Sequence, residues 1–403
     1  MLRRIKIKQL KPGMYVENLD RSWRSVPVFR NRITSDRQVD QLVHHRVLEV
    51  VIDTDKGIDL TTPGAQPIGK TAGEAEVGAP LTDPVAYRKE IVAANTAYEI
   101  AQISVSNLME AVRRGDKPDV SLAESAVDPM IASILRNRDA MTSLVSLKVQ
   151  SDAVYQHSIR VCILSAVLGT RLGLSQRELK TLGMGALLHD TGKMRLETKL
   201  VDKAGPLSQE DFEKYKHHPL LGARIFDEAP SIEKQSLLIL LQHHERADGS
   251  GFPQGLTGDQ ISRMAKIVMI VDTFDNLTAR ASAERKQTAY DALNWIRDWG
   301  SEGFDAKLID EFVEALGIYP VGSFVRMNDN RMGIVMSVHH NPSLLPQVWV
   351  VFDANQRQLP KPEIIDFADQ QATPPAAIVA AVLPEKFGFD LPGYAKAHGL
   401  PDR

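Results

Sequence analysis

From about residue 83 to about residue 317 the apolar residues recur at three- and four-residue spacing, and a stretch of that period and length folds as packed helices. The segment DPVAYRKEIVAANTAYEIAQISVSNLMEAVRR opens on Asp-Pro, a helix-start signal. The period continues through VDPMIASILRNRD, VYQHSIRVCILSAVLGTRLG, ELKTLGMGALLHD, SQEDFEKYKHHPLLGARIF, SIEKQSLLILLQHHE and ISRMAKIVMIVDTFDNLTA. On either side the pattern changes. RIKIKQL, GMYVENL, VPVF and HRVLEVVIDT read as short strands, with a helix at SDRQVDQLVHH, which predicts a small α+β module over residues 1–54. Residues 55–82 shift to Gly, Pro, Ala and Thr with little periodicity, as in a flexible linker. After GIYP, the β-branched and aromatic runs VGSFVRM, RMGIVMSVHH and PQVWVVF predict a small antiparallel, barrel-like β module over 318–370. The Ala- and Pro-biased residues 371–403 read as a poorly specified tail. The expected architecture is mainly α: a helical connector at 83–144 and a helical bundle at 145–317, flanked by the two small modules.

A chain of 403 residues is long enough for two or three domains, each with its own core. The single cysteine, Cys162, excludes an intrachain disulfide framework and fits a reducing compartment, so a cytoplasmic location is expected. A net charge of -3 with acids and bases interspersed gives no footprint for a nucleic-acid polymer. The basic opening MLRRIKIK is not followed by the apolar core of a signal peptide, and the longest apolar runs fall short of the ~20 residues that span a bilayer. A soluble protein without a membrane span is expected.

Polar residues of the kind that bind metals interrupt the helical pattern. They are His157, His189 with Asp190, His217 with His218, His243 with His244, and Asp272. Asp272 follows KIVMIV, so it lies near a buried face, where a charge is costly unless paired or coordinated. Histidines and carboxylates drawn from several helices to one bundle core are how bundles build metal sites. Imidazole with carboxylate suits zinc, iron, manganese or nickel, and the lack of thiolates argues against iron–sulfur clusters or a structural zinc. A shared carboxylate would hold two ions about 3.5 to 4 Å apart. Glu245, Asp275 and Thr191 are candidates to accept the remaining N–H of the ligating imidazoles. The loop from Asp248 to Gly258 would wall the pocket, with Gly249, Gly251 and Gly255 for tight turning and Pro253 for stiffness.

HDTGK, YKHHPLLG, HHERADGSGFPQGLTG and IVDTFDNLTAR, in this order, resemble the HD-GYP family, a subgroup of the HD-domain metal-dependent phosphohydrolases. The resemblance covers about residues 145 to 315 and makes the expected bundle an HD-type one. LKPGMYVENLDRSW and VIDTDKGID also resemble the N-terminal domain that often precedes HD-GYP domains in bacteria, and GIYPVGSFVRM resembles their short C-terminal extension. The resemblance implies a phosphodiesterase that opens cyclic di-GMP to linear pGpG, and in some members on to GMP, by in-line attack of a metal-bridging hydroxide. It implies His157, His189, Asp190, His218, His243, His244 and Asp272 as metal ligands, iron or manganese ahead of nickel or zinc. His189, Asp190 and Lys193 would serve catalysis, with Lys193 on the phosphate. Gly251, Phe252, Pro253 and Arg280 would touch substrate.

Three departures from the family pattern stand out. Phe252 replaces the signature tyrosine, and Arg280-Ala281-Ser282 stands where an arginine-proline-tyrosine stretch is expected. Ala153 occupies the position from which a glutamate helps some relatives hold a third metal, so two ions are expected. The alternatives are a weakly active module that binds cyclic di-GMP or docks on diguanylate cyclase (GGDEF) domains, and a phosphodiesterase for another cyclic dinucleotide such as cyclic GMP-AMP. Homodimerisation through the long helix near Asp83 is a further expectation, and a wholly intramolecular role for that helix is its competitor.

Overall fold

The computed structural model describes residues 2–19, 33, 39, 49–55, 85–147, 154–201, 208–227, 229, 232–279, 286–299, 303–339, 344–368 and 376–397. The chain divides into two compact units, Met1–Val77 and Gly78–Arg403. In the first, β1 (Leu2–Lys6), β2 (Val16–Leu19) and β3 (Glu49–Asp53) form an antiparallel sheet in the order β1-β3-β2, with Leu2 opposite Asp53. Ile5, Ile7, Met14, Val16, Val50 and Ile52 are buried together as its core. The strand expected at VPVF, the linker after residue 55 and most of the helix expected at SDRQVDQLVHH lie outside the described residues.

The second unit is mostly helical. Its first helix, α1 (Tyr87–Arg114), buries Ile91, Ala94, Tyr98, Ala101, Val105, Leu108 and Val112, a strict alternation of three- and four-residue steps that keeps one seam inward. Each fully buried Leu or Val on that seam contributes about 1.5–3 kcal/mol. Its seam joins the same core as α2 (Val120–Arg136) and α3 (Arg138–Leu147). Next comes α4 (Val154–Arg171), buried at every position from His157 to Gly169, as a helix surrounded by others must be. Ser175 and Glu178 form a reciprocal capping box at the start of α5 (Gln176–Leu188). A 3₁₀ turn (Thr191–Arg195) leads on to α6 (Thr198–Val201), α7 (Gln209–Tyr215), α8 (His218–Phe226), α9 (Lys234–Gln242), α10 (Arg263–Thr278), α11 (Ala289–Trp299) and α12 (Ala306–Leu316). No helix among the described residues is long and apolar enough to cross a membrane.

Behind the bundle lies a five-stranded antiparallel sheet in the order β7-β6-β5-β4-β8: β4 (Phe324–Met327), β5 (Met332–His339), β6 (Leu345–Phe352), β7 (Gln358–Asp366) and β8 (Ile378–Ala381). Among the described residues, β7 and β8 do not pair to close it into a barrel. The reading of residues 371–403 as a poorly specified tail needs correction. Val325 pairs with Ala381, and after β8 a helix, α13 (Leu391–Ala397), brings Leu391 and Tyr394 with Phe389 onto Phe324 and Phe352. Four small strand residues between prolines carry almost no local signal, and their stability comes from the neighbouring strand and the aromatic cluster.

Candidate metal centre

The helix ends gather the polar residues. His157 comes from within α4, His189 and Asp190 follow α5 directly, His218 is the first residue of α8, His243 and His244 follow α9 directly, and Asp272 sits in α10. They form two groups, Asp190 with His218, His243 and His244, and His157 with His189 and Asp272. Within each group the ligand atoms lie within 4.8 Å of one another. Asp190 faces both. Its Oδ1 is 3.4 Å from His218 Nε2 and 3.7 Å from His243 Nε2, while its Oδ2 is 3.3 Å from His189 Nε2 and 3.6 Å from His157 Nε2.

Backbone carbonyls aim the imidazoles. His189 Nδ1 bonds Ala186 O at 2.7 Å, His218 Nδ1 bonds Tyr215 O at 2.8 Å and His243 Nδ1 bonds Leu240 O at 2.9 Å, each three residues back. The final carbonyls of a helix lack an intrahelical donor, so each histidine satisfies an orphan acceptor and turns Nε2 toward the centre. His157, inside a helix, has no such carbonyl. Its Nδ1 bonds Asp275 Oδ2 at 2.7 Å, and Asp275 also accepts from Arg160 Nε and Nη2 at 2.7 and 2.8 Å. Pinning one ring nitrogen so that the other is free to ligate is the usual support of a metal-bound histidine.

The inner atoms fit divalent cations. His189 Nε2, His244 Nε2 and Asp190 Oδ1 are buried without a hydrogen-bond partner, and His157 Nε2 lies 3.0 Å from Asp272 Oδ1 without hydrogen-bond geometry. Buried polar atoms that crowd together yet do not bond one another cost about 1–3 kcal/mol each, unless a further atom satisfies them. Electrostatics agrees with the packing. Burial, with the neighbouring cationic groups, pushes His218 and His244 well below the ordinary histidine value, and burial also lowers His243, so all three favour the neutral, ligating form. His157 differs: burial disfavours its cation, but Asp272 and Asp275 outweigh it and raise the pKa to about 9, so a cation bound at its Nε2 would have to displace a proton. For Asp190, burial is overcome by His189 and Lys193, and the carboxyl stays well below its usual range. Lys193 Nζ is 2.5 Å from Asp190 Oδ2 and 5.3 Å from the centre of the Tyr215 ring, and Asp190 raises its pKa against the effect of burial.

Two glycines set close approaches that no side chain would permit. A Cβ on Gly192 would meet His218 O at 1.9 Å, so HDTGK packs its turn directly on the start of α8. A Cβ on Gly251 would lie 2.3 Å from Arg246 N and 2.4 Å from Glu245 Cα, so the loop folds back onto its own entrance. Gly249 and Gly255 adopt positive φ, 80° and 65°, as a tight turn requires. Fully buried Glu245 holds the loop closed by accepting from Gln254 N at 2.7 Å and Leu256 N at 2.9 Å. Of the three residues expected to support imidazoles, Asp275 does so. Glu245 holds the loop instead, and Thr191 bonds Leu188 O. Phe252 N donates to His244 O at 3.1 Å, and its ring packs 4.6 Å from His244 and 6.0 Å from Phe212. Pro253 follows through a cis peptide bond. Arg280 and Ala153 lie outside the described residues. Sequence reasoning missed Arg160 and Asn276, whose Nδ2 donates to Asp272 Oδ1 at 2.8 Å. Arg160 did carry a signal: it interrupts the apolar run SIRVCILSAV just as Asp272 interrupts its own.

Residues 139–308, the part of the chain that carries both histidine–aspartate groups, match the HD domain model. Residues 2–123 match a domain of unknown function (DUF3391), and residues 324–388 a KOW domain associated with HD domain. The chain is 33% identical over 369 residues to Cyclic di-GMP phosphodiesterase PA4108 of Pseudomonas aeruginosa, covering 91% of this chain and 89% of that protein. Cyclic di-GMP phosphodiesterase response regulator RpfG of Xanthomonas campestris pv. campestris is 27% identical over 276 residues, with 68% and 69% covered. 3'3'-cGAMP-specific phosphodiesterase 3 of Vibrio cholerae is 28% identical over 164 residues, with 41% and 35% covered. The chain belongs to the HD-GYP family of HD-domain proteins, and the HD domain implies divalent metal binding.

Proposed function

We propose that this chain is a metal-dependent phosphodiesterase that hydrolyses cyclic di-GMP to linear pGpG. The observation that carries the reading is the pair of ligand groups joined through Asp190, with His157 Nε2, His189 Nε2, His244 Nε2 and Asp190 Oδ1 buried without a hydrogen-bond partner. The 33% identity across 91% of the chain to a relative named for this activity supports the substrate class. Two divalent ions, iron or manganese ahead of nickel or zinc, held by His157, His189, Asp190, His218, His243, His244 and Asp272, would neutralise phosphate charge and supply hydroxide near neutral pH.

The chain's own residues do the remaining work. Asp275 accepts the Nδ1 proton of His157, which fixes the tautomer that presents Nε2 to the centre. Lys193, kept protonated beside Asp190, would donate a charge-assisted hydrogen bond to a phosphate oxygen when substrate enters. Gly251, Phe252 and Pro253 form the wall of the site that follows His244, and Arg280 is assigned to the substrate on the family pattern alone. Docking on a GGDEF domain, self-association and a cytoplasmic location complete the proposal.

The experiment incubates metal-replete protein and an Asp190→Ala variant with cyclic di-GMP and separately with 3'3'-cyclic GMP-AMP, following products by chromatography. Product, pGpG or GMP, is expected from the first substrate with the native chain alone. Faster turnover of cyclic GMP-AMP would reassign the substrate, and no product above the variant's background would remove the activity.

A further inference from the structure

Between the helical bundle and the C-terminal sheet lies a cavity of about 420 Å³ that the chemistry above leaves unused. Its apolar walls include Leu164 of α4, Phe274 of α10, Leu316 of α12 and Phe324 of β4. Gln287 and Ser323 also line it, and their buried Oε1 and Oγ atoms have no hydrogen-bond partner. Buried polar atoms are nearly always paired, so two orphans facing one cavity call for a missing partner. A largely apolar cleft of this volume with a few polar groups is how small-molecule sites are built.

The charges around the cavity restrict the ligand. Arg160 is paired with Asp275 at 2.7 and 2.8 Å, and Lys286 with Glu385 at 2.8 Å. Both lining cations are engaged by carboxylates, and the remaining lining carboxylate, Asp390, accepts from Gly393 N at 3.0 Å, so the cavity suits an uncharged molecule and not a nucleotide. One of its walls also supports the metal centre, because the Asp275 carboxylate that takes Arg160 accepts from His157 Nδ1 at 2.7 Å.

We propose that this cavity is a second ligand site, for an uncharged planar molecule of one or two rings with an amide-like donor–acceptor edge, and that occupancy is coupled to the metal centre through Arg160 and Asp275. The rings lie among Phe274, Phe324 and Leu316, and the polar edge satisfies Gln287 and Ser323. Coupling of this kind is reciprocal, so metal loading and ligand binding alter each other by the same factor.

Quinolin-2-one, a neutral two-ring lactam, is the probe, and quinoline-2-carboxylate its charged counterpart. Binding to the full chain is followed by saturation-transfer NMR and calorimetry, metal-free and manganese-loaded. The lactam is expected to bind at least about ten-fold more tightly than the carboxylate, and Gln287→Met and Ser323→Ala are each expected to weaken it about five-fold or more. Cyclic di-GMP is expected not to displace it, and its affinity is expected to differ between the metal-free and loaded protein. Melting curves verify that both variants fold. No saturation transfer at millimolar lactam, displacement by cyclic di-GMP, or unchanged affinity in both folded variants would overturn the site. Equal affinity with and without manganese would overturn the coupling.

Discussion

The two halves of HHERADGSGFP are adjacent in sequence and are held by different means. His243 is aimed by the Leu240 carbonyl at the end of α9 and faces Asp190, whereas Asp248 to Gly258 is shaped by the buried Glu245 carboxylate, the close fold at Gly251 and local bonds such as Gly258 N to Ala247 O and Phe252 N to His244 O. The first half depends on helix ends, and the second on contacts local to the loop, with Glu245 at their centre. Chemistry and loop shape should therefore be separable by mutation.

Asp190→Ala removes the carboxylate shared by the two ligand groups, and hydrolysis measured by product chromatography should fall by about 10⁴-fold or more. Asp275→Asn leaves every inner ligand in place but loosens His157. Metal affinity measured by competition with a chelator should fall about 10–100-fold. Glu245→Gln keeps the shape of the side chain but replaces one acceptor of the loop clamp with a donor. Stability to urea should drop by about 1–3 kcal/mol while metal content stays unchanged. If Glu245→Gln emptied the metal centre, the two halves would be one device and the comparison would fail. Phe252→Tyr should have the smallest effect, within about 0.5 kcal/mol in stability, because the half-buried ring keeps its contacts with His244 and Phe212. A large change in turnover with that variant would place the missing hydroxyl in substrate recognition.

Much of this organisation was legible in the chain. The three- and four-residue period of α1 and the buried run of α4 are physical necessities of packed helices, and they appear in the sequence as such. Asp272 was legible because a carboxylate behind KIVMIV has nowhere inexpensive to go. Arg160 obeys the same logic, yet a lone arginine on a helix reads as solvated, and only the fold brings Asp275 to it across 115 residues. The role of Glu245 had no signal, since its partners are backbone N–H groups nine and eleven residues on, which any residue type supplies. The final strand escaped notice for a related reason. Ile378–Ala381 is too short for a pattern and becomes a strand because β4 offers it an edge.

Two ligand groups meeting at Asp190 are proposed to hold two divalent ions. Metal analysis of anaerobically purified full-length protein, beside the Asp190→Ala variant, tests this directly. Two ions per chain are expected in the native protein, with a clear deficit in the variant. Three ions per chain, or the same content in both proteins, would contradict it.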